Sequence, residues 1–135
     1  RTCRRENEFV VRFLVPSAAG IRCIYEKVGL RSAMAIAVLS LAMVADCRPP
    51  QPRIRIALGS LGPKTVVVHE AEKLAESGDI EGSVSLYMKA IRPIDDIRAT
   101  ANYRRTAVKN ILLRQIRSVL EESKHESAGE ICTKR

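Results

Sequence analysis

The sequence predicts an α+β domain in which an antiparallel sheet of three to four strands packs on a three-helix bundle. Apolar and polar residues alternate through much of the first half of the chain, whereas apolar residues recur at helical spacing in the second half. Strands that precede helices in this way segregate into two layers around one core. The 135 residues are 46% hydrophobic, which is enough for one domain of ordinary proportions. Because the chain has no Trp and only 4% aromatic residues, the core must be aliphatic.

Four strands are predicted in the first half. The alternation of the first strand ends at Pro16, and that of the third slips near Leu39 and Ser40, which predicts a β-bulge. This third strand is also the longest apolar run, but it is shorter than the about 20 residues that span a bilayer, so we expect no membrane segment. The proline-rich loop at residues 48–52 separates it from the fourth strand, and the two form a hairpin. The predicted strands are residues 8–15, 21–27, 33–45 and 53–58.

Three helices are predicted in the second half. The first, residues 70–76, ends at Gly78, and Asp79 caps the second, which ends at Pro93. The third runs from residue 101 to about residue 122. The inward positions are Ala71, Leu74 and Ala75 in the first helix, Ile80, Val84, Tyr87 and Ile91 in the second, and Val108, Ile111, Leu112, Ile116, Val119 and Leu120 in the third.

The net charge of +8 and the pI near 9.7 would suit a nucleic-acid-binding protein. However, the basic residues are interleaved with acids, which favours a solvated face or a docking face for an acidic partner subunit. The densest basic group is predicted on the polar side of the last helix and consists of Arg104, Arg105, Lys109, Arg114 and Arg117.

No metal site or catalytic residue is predicted. The cysteines form no C-x-x-C pair and have no histidine at ligand spacing, so we interpret them as free intracellular thiols. His69 and His125 stand alone and are expected at solvated helix positions. The four cysteines are Cys3, Cys23, Cys47 and Cys132.

Three segments, in this order, resemble one protein family. Residues 25–36 contain Y-E-K and then R-S-A-M-A-I, residues 54–63 read I-R-I-A-L-G-S-L-G-P, and A-E follows at residues 71–72. Residues 91–105 (I-R-P-I-D-D-I-R-A-T-A-N-Y-R-R) fit a P-I-x-D-x-R-x-x-x-x-Y-R-R signature. Together they resemble the C-terminal domain of the FAD-binding, or medium, subunit of molybdenum hydroxylases such as xanthine dehydrogenase and carbon monoxide dehydrogenase. The signature positions are Pro93, Ile94, Asp96, Arg98, Tyr103, Arg104 and Arg105.

The resemblance implies a function in electron transfer. In this family, electrons pass from a molybdopterin site through iron–sulfur clusters on partner subunits to FAD, and then to an acceptor. It implies that Lys27 lies beside the flavin ring, where its charge would stabilise the reduced flavin, and that Val10 packs by the ring. The alternatives are that Lys27 merely ends a strand in solvent and that Val10 is ordinary core.

The signature itself is expected to be structural. Asp96 can accept backbone N–H groups where the loop enters the last helix, while Arg98 braces that loop. Tyr103 is expected to anchor the helix with a buried ring and a bonded hydroxyl.

The resemblance covers about residues 1 to 120, and we expect one domain at residues 1–122 with a flexible tail at 123–135. The N-terminal FAD-binding domain of the family, with two glycine-rich phosphate-binding stretches, is expected to be absent, since the seven glycines are scattered. The chain should therefore be inactive alone, should not hold FAD tightly, and should act in the cytoplasm within a dehydrogenase complex. The alternative is a stand-alone basic domain that binds protein or nucleic acid without flavin.

Overall fold

The computed structural model describes residues 5–14, 20–31, 35–46 and 52–127, with side chains up to residue 124. Three strands precede three helices, and the strands form one antiparallel sheet in the order β1-β2-β3. The predicted α+β class is therefore confirmed. The elements are β1 (Arg22–Val28), β2 (Leu39–Asp46), β3 (Arg53–Gly59), α1 (His69–Glu76), α2 (Ile80–Ala90) and α3 (Ala101–Ser127).

The core lies between one face of the sheet and the helices. On the central strand, Met43 pairs with Ile24 of β1 and Ile56 of β3, so alternate residues of all three strands point to the same side. Helix α1 packs on β3 and α2, and α3 packs on β2 and α2. The buried aliphatic residues from both layers include Leu39, Leu41, Met43, Ala45, Ile54, Ile56 and Leu58 from the sheet and Val84, Ile91, Val108, Leu112, Ile116 and Val119 from the second half.

The turn between α1 and α2 has the predicted chemistry. Gly78 adopts φ +91°, a left-handed conformation that ends α1, and its N–H donates to the Ala75 carbonyl at 3.0 Å. Asp79 then begins α2, because its carboxylate accepts the Gly82 N–H at 2.9 Å. The inward residues predicted for the three helices are buried or partly buried.

Two strand predictions are wrong. Residues 8–14 form no strand, and their apolar side chains are exposed, because no other described part of the chain covers them. Strand β2 begins at Leu39, where the alternation was predicted to slip, and pairs regularly from there, so the apparent bulge is the strand's start. Residues 35–38 before it are not in a strand.

The last helix continues to Ser127, beyond the predicted end near residue 122. Other predictions, for residues 1–4, 15–19, 32–34, 47–51 and 128–135, lie outside the described residues, and they include those for Cys3, Cys47 and Cys132. No helix in the described part of the chain is both long enough and apolar enough to cross a membrane.

Candidate functional site

The described helices cover one face of the sheet and leave the outer face open. Its three rows run across the strands, and its members are exposed or half-buried, in contrast to the buried residues that alternate with them. The rows are Cys23–Val44–Arg55, Tyr25–Ala42–Ala57 and Lys27–Ser40–Gly59.

The middle of this face is flat because its side chains are small. Ser40 and Ala42 lie on the central strand β2 and Ala57 and Gly59 lie beside them on β3, whereas bulkier side chains stand on β1. A Cβ atom at Gly59 would lie 2.5 Å from Ser40 Oγ, so any side chain at position 59 would clash with this hydroxyl, and glycine avoids the clash. A floor of small residues allows a planar group to approach the backbone closely.

Lys27 and Tyr25 stand along the β1 side of the floor, and both are exposed. Lys27 Nζ donates a hydrogen bond to the Ala35 carbonyl at 3.2 Å, which holds the ammonium near the turn between β1 and β2. The site therefore presents the Lys27 ammonium and the Tyr25 ring beside a floor of small side chains, with the Arg55 guanidinium in the row farthest from Lys27. Val10 is 60% exposed on a segment that joins no strand, so the structure does not bring it to this face.

Strand β1 is fixed from behind by polar contacts to α3. Arg114 donates to both carboxylate oxygens of Glu26, at 2.5 and 2.6 Å, and Gln115 Nε2 donates to the same group at 2.9 Å. The hydrogen bond from Arg114 lowers the pKa of Glu26 against the opposing effect of partial burial, and Glu26 raises the pKa of Arg114 in return. Nearer the start of β1, Arg22 pairs with Glu122 of α3.

The loop before α3 is organised by Asp96. Its carboxylate accepts the backbone N–H groups of Arg98 at 2.8 Å and Ala99 at 3.1 Å, and the guanidinium of Arg98 at 2.6 Å. Partial burial alone would raise the pKa of Asp96, but the backbone N–H of Arg98 and the other donors outweigh it and hold the pKa far below its usual range. The expected structural role of Asp96 and Arg98 is confirmed.

Arg104 joins this loop to the sheet. Its side chain is only 3% exposed and donates to Asp96 Oδ1 at 2.7 Å, to the Val38 carbonyl at 2.6 Å and to the Ser60 carbonyl at 3.1 Å. Val38 precedes β2 and Ser60 follows β3, so one guanidinium ties the adjacent ends of two strands to α3. Placing Arg104 on the polar side of the helix was wrong, because its charge is satisfied inside the fold.

Residues 24–119 match the family described as the CO dehydrogenase flavoprotein C-terminal domain. The chain belongs to this family. No curated protein sequence matches the chain significantly.

Two solved structures share the fold of this flavoprotein C-terminal domain. One is the cyanide-inactivated form of a Cu,Mo-CO dehydrogenase, at 23% identity and a TM-score of 0.61 over 70% of this chain. The other is a reconstituted CO dehydrogenase from Oligotropha carboxidovorans, at 23% identity and a TM-score of 0.62 over 74% of this chain. The chain spans about a third of the length of these relatives, since 35% and 36% of them are covered.

In this flavoprotein C-terminal domain, three more residues of the predicted basic group, Arg105, Arg114 and Arg117, have separate partners. Arg105 donates to the Met88 carbonyl at 3.2 Å, and Arg117 pairs with Glu81 at 3.5 Å. Together with Arg114 on Glu26, these contacts distribute the positive charge of α3 among different elements rather than collecting it on one surface.

The buried tyrosine is Tyr87, not Tyr103. Tyr103 is 52% exposed, so its predicted anchoring role is wrong. Tyr87 is buried in α2 and donates to the Ile56 carbonyl at 3.2 Å, and burial, aided by the charge of Glu72, raises its pKa. Sequence spacing had placed Tyr87 inward, but the acceptor on β3 has no sequence signal.

Two glutamates that sequence reasoning missed close the outer edge of β3. Glu72 is 1% exposed and accepts the Ile56 N–H at 2.9 Å, and Glu76 accepts the Ile54 N–H at 2.8 Å. Arg55 donates to Glu76 at 3.0 Å, and the exposed ring of His69 contacts Glu72 at 2.9 Å. Their spacing on α1 was the available signal, since residues four apart share a helix face.

Proposed function

We propose that this chain is the C-terminal part of the FAD-binding subunit of a molybdopterin-dependent dehydrogenase, and that its open sheet face forms one wall of the flavin site. The observation that carries the proposal is the flat floor around Ala42 and Ala57 with Lys27 at its side, in a member of the CO dehydrogenase flavoprotein C-terminal domain family. A sheet normally buries both faces or covers one with polar side chains. This face carries polar side chains at its margins, but its centre at Ala42 and Ala57 is small and apolar and suits a planar ligand.

The residues of the face fit the ring of FAD but not its pyrophosphate. A flavin ring needs a flat apolar contact and gains from a nearby cation, and Ala42, Ala57 and Lys27 supply these. The pyrophosphate requires converging backbone N–H groups, which glycine-rich loops provide, and the seven glycines here are scattered. We infer that the phosphate contacts come from an N-terminal FAD-binding domain outside these 135 residues.

FAD, when bound, would accept electrons and pass them to an acceptor. The ammonium of Lys27 would favour the electron-rich form of the ring by charge attraction, and its hydrogen bond to the Ala35 carbonyl would limit the positions it can take. Val10 would reach the ring only if residues 8–14 were ordered against it by the rest of the subunit.

Partner subunits would supply the remaining redox centres. The family resemblance implies that molybdopterin and iron–sulfur clusters lie on other subunits, and the two solved relatives are CO dehydrogenases, one of them described as a Cu,Mo enzyme. Oxidation of the substrate, whether carbon monoxide, a xanthine-like compound or another molecule, would then occur on the molybdopterin subunit. We expect the assembled complex in the cytoplasm.

The proposal is tested by adding the chain to the separately produced N-terminal FAD-binding domain of a CO dehydrogenase flavoprotein. The chain should lower the Kd of that domain for FAD and alter flavin fluorescence. Lys27→Gln should lower the flavin reduction potential by roughly 10–20 mV, because about 0.5–1 kcal/mol of charge interaction corresponds to that shift in a two-electron couple.

Lys64→Gln is the matched control, since Lys64 is also an exposed lysine but lies outside the open face. It should leave both readouts unchanged. Unchanged flavin fluorescence and affinity on adding wild-type chain would contradict the proposal, and salt-sensitive binding to nucleic acid would then favour the stand-alone basic domain.

A further inference from the structure

An uncovered apolar segment precedes β1. Residues 9–14 read F-V-V-R-F-L, so five of the six are large apolar residues. The side chains of Phe9, Val11 and Phe13 are each at least 80% exposed. Single exposed apolar residues are normal on a protein surface, but a contiguous run of them marks a surface that another structure covers. A run of this kind also promotes aggregation when it stays open.

The segment has the pattern of a strand with two unlike sides. In an extended chain, alternate residues point to opposite sides, so Phe9, Val11 and Phe13 would share one side and Arg12 would lie on the other. One side is therefore entirely apolar, whereas the other carries a charge. Phe and Val favour the pleated, half-buried surface of a sheet. The pattern suits an edge strand whose apolar side faces a core.

The described domain offers this apolar side no suitable core. The helices already cover one face of the sheet, and the described core and the side chains packed against it include none of residues 8–14. The outer edge of β3 is closed by the two glutamates of α1. At the outer edge of β1, the residues on the covered face include Arg22 and Glu26, which pair with Glu122 and Arg114. A strand added there would place its apolar side against these ion pairs or on the open face.

The family match indicates which part of a subunit covers the segment. The match to the CO dehydrogenase flavoprotein C-terminal domain begins at residue 24, after this segment. Only 35% and 36% of the two solved CO dehydrogenase chains are covered, so about two thirds of such a chain lies outside the shared fold. Because the shared fold is the C-terminal domain, the rest of a flavoprotein chain precedes it. Residues 8–14 therefore lie on the path between the two parts.

We propose that residues 8–14 form an edge strand of the FAD-binding domain that precedes this one in the same subunit, and that Phe9, Val11 and Phe13 cover the core of that domain. This inference rests on the proposed function, which supplies the preceding domain. An added strand gains backbone hydrogen bonds along the sheet that it joins and contacts from alternate side chains.

Such a strand would also position the flavin wall. Strand β1 begins at Arg22, only a few residues after the segment, and carries Lys27. Fixing residues 8–14 in the FAD-binding domain would therefore restrict where the open face can lie relative to the flavin. A wall held in place by a shared strand loses less entropy on closing than one attached by a flexible linker.

The test adds the 135-residue chain to the N-terminal FAD-binding domain of a CO dehydrogenase flavoprotein, cut before its equivalent of residue 8. Amide hydrogen exchange in residues 8–14 should be fast in the chain alone and should slow about tenfold or more when the domain is added. Phe13→Ser should raise the Kd between the two parts about tenfold, and the melting temperature of the chain should not change because residue 13 is exposed.

Two variants serve as controls for Phe13→Ser. Arg12→Ser changes the opposite side of the same segment, and Ile97→Ser removes an apolar side chain that is fully exposed on the loop before α3. Both should bind the FAD-binding domain as wild type does. Equal weakening by Phe13→Ser and Arg12→Ser would contradict a strand with one buried side and would overturn the inference.

Flavin fluorescence in the same mixtures separates this inference from the proposed function. An altered flavin signal with fast exchange in residues 8–14 and unchanged binding of Phe13→Ser would overturn the inference and leave the proposed function intact. Slowed exchange and weakened binding of Phe13→Ser without any change in flavin fluorescence would support the strand and overturn the flavin wall. No binding of the wild-type chain would overturn both.

The chain alone tests the two other ways of covering the segment. Slow exchange of residues 8–14 in the monomeric chain would overturn the inference in favour of pairing with its own sheet. Self-association that sedimentation detects in wild type and not in Phe13→Ser would overturn it in favour of a second copy.

Discussion

The two faces of the sheet are built from the same three strands but carry opposite kinds of residue. The covered face presents Leu41, Met43 and Ile56 to the helices, and these side chains are fully buried. The open face presents Ala42 and Ala57 between them, small and accessible to solvent. Successive residues of a strand point to opposite faces, so one residue packs in the core while the next stays accessible for binding.

Large side chains therefore have different consequences for stability on the two faces. Large aliphatic side chains on the covered face give up water-exposed area to the core, which is the main favourable term in folding. On the open face, large side chains would add stability only if something covered them. Small residues there leave the backbone approachable and cost the isolated domain little.

The largest expected effect on the free energy of unfolding comes from a substitution on the covered face, which we compare with a substitution of its neighbour on the open face. Met43→Ala should lower the free energy of unfolding by about 3 kcal/mol, because it leaves a cavity among the helices. Val44→Ala, one residue along and half-exposed, should lower it by less than about 1 kcal/mol. Urea unfolding followed by circular dichroism measures both, and equal losses would mean that the open face is covered.

The next effect concerns the Asp96 carboxylate that supports the covered face from its end. The pKa of Asp96 is depressed in the folded protein, so its contribution to stability is complete above the unfolded value of about 4 and is lost as the pH falls through the folded value. Asp96→Asn should therefore be less stable than wild type at pH 7, and the difference should shrink below about pH 4. Thermal melts from pH 2 to 7 check this, and a difference independent of pH would be contrary to the assignment.

A smaller effect is expected from the hydroxyl that crosses from α2 to β3. Tyr87→Phe removes the hydrogen bond to the Ile56 carbonyl while keeping the buried ring, and should cost about 1 kcal/mol. Tyr103→Phe is the control, because Tyr103 is half-exposed, and it should cost little. Equal losses in urea unfolding would show that the hydroxyl of Tyr87 adds nothing.

Sequence patterns predicted the covered face better than the open one. Buried residues recur with the period of the strand or helix that carries them, so their pattern was sufficient to place the core. The informative patterns were the alternation of residues 53–58, the helix stop at Gly78 and the apolar stripe from Val108 to Val119. The same alternation misplaced residues 8–14, since a pattern shows that a segment can form a strand but not which partner covers it. The hydrophobicity of a segment does not show which other part of the structure packs against it.

Polar contacts between residues far apart in the chain were the second feature that could not be predicted from the sequence. The buried position of Arg104 depends on carbonyls 66 and 44 residues away, at Val38 and Ser60, and charge patterning alone assigned it to solvent. Lys27 was proposed from resemblance rather than periodicity, because alternation alone does not distinguish a binding lysine on the exposed face of a strand from a solvated one.

The smallest expected effect on stability comes from a substitution on the open face, and this substitution also tests whether that face contacts the flavin. Ala42→Phe places a large ring on the open face, where no described helix can clash with it, so the free energy of unfolding should change by less than about 0.5 kcal/mol. The ring would occupy the flat floor, so FAD bound by the N-terminal domain should no longer respond to the chain. Val67→Phe, at an exposed position outside the face, should leave both stability and the flavin response unchanged. A stable Ala42→Phe that still lowers the Kd for FAD would show that the flavin contacts another surface, whereas a stable variant without that response would assign binding to the face that contributes least to folding.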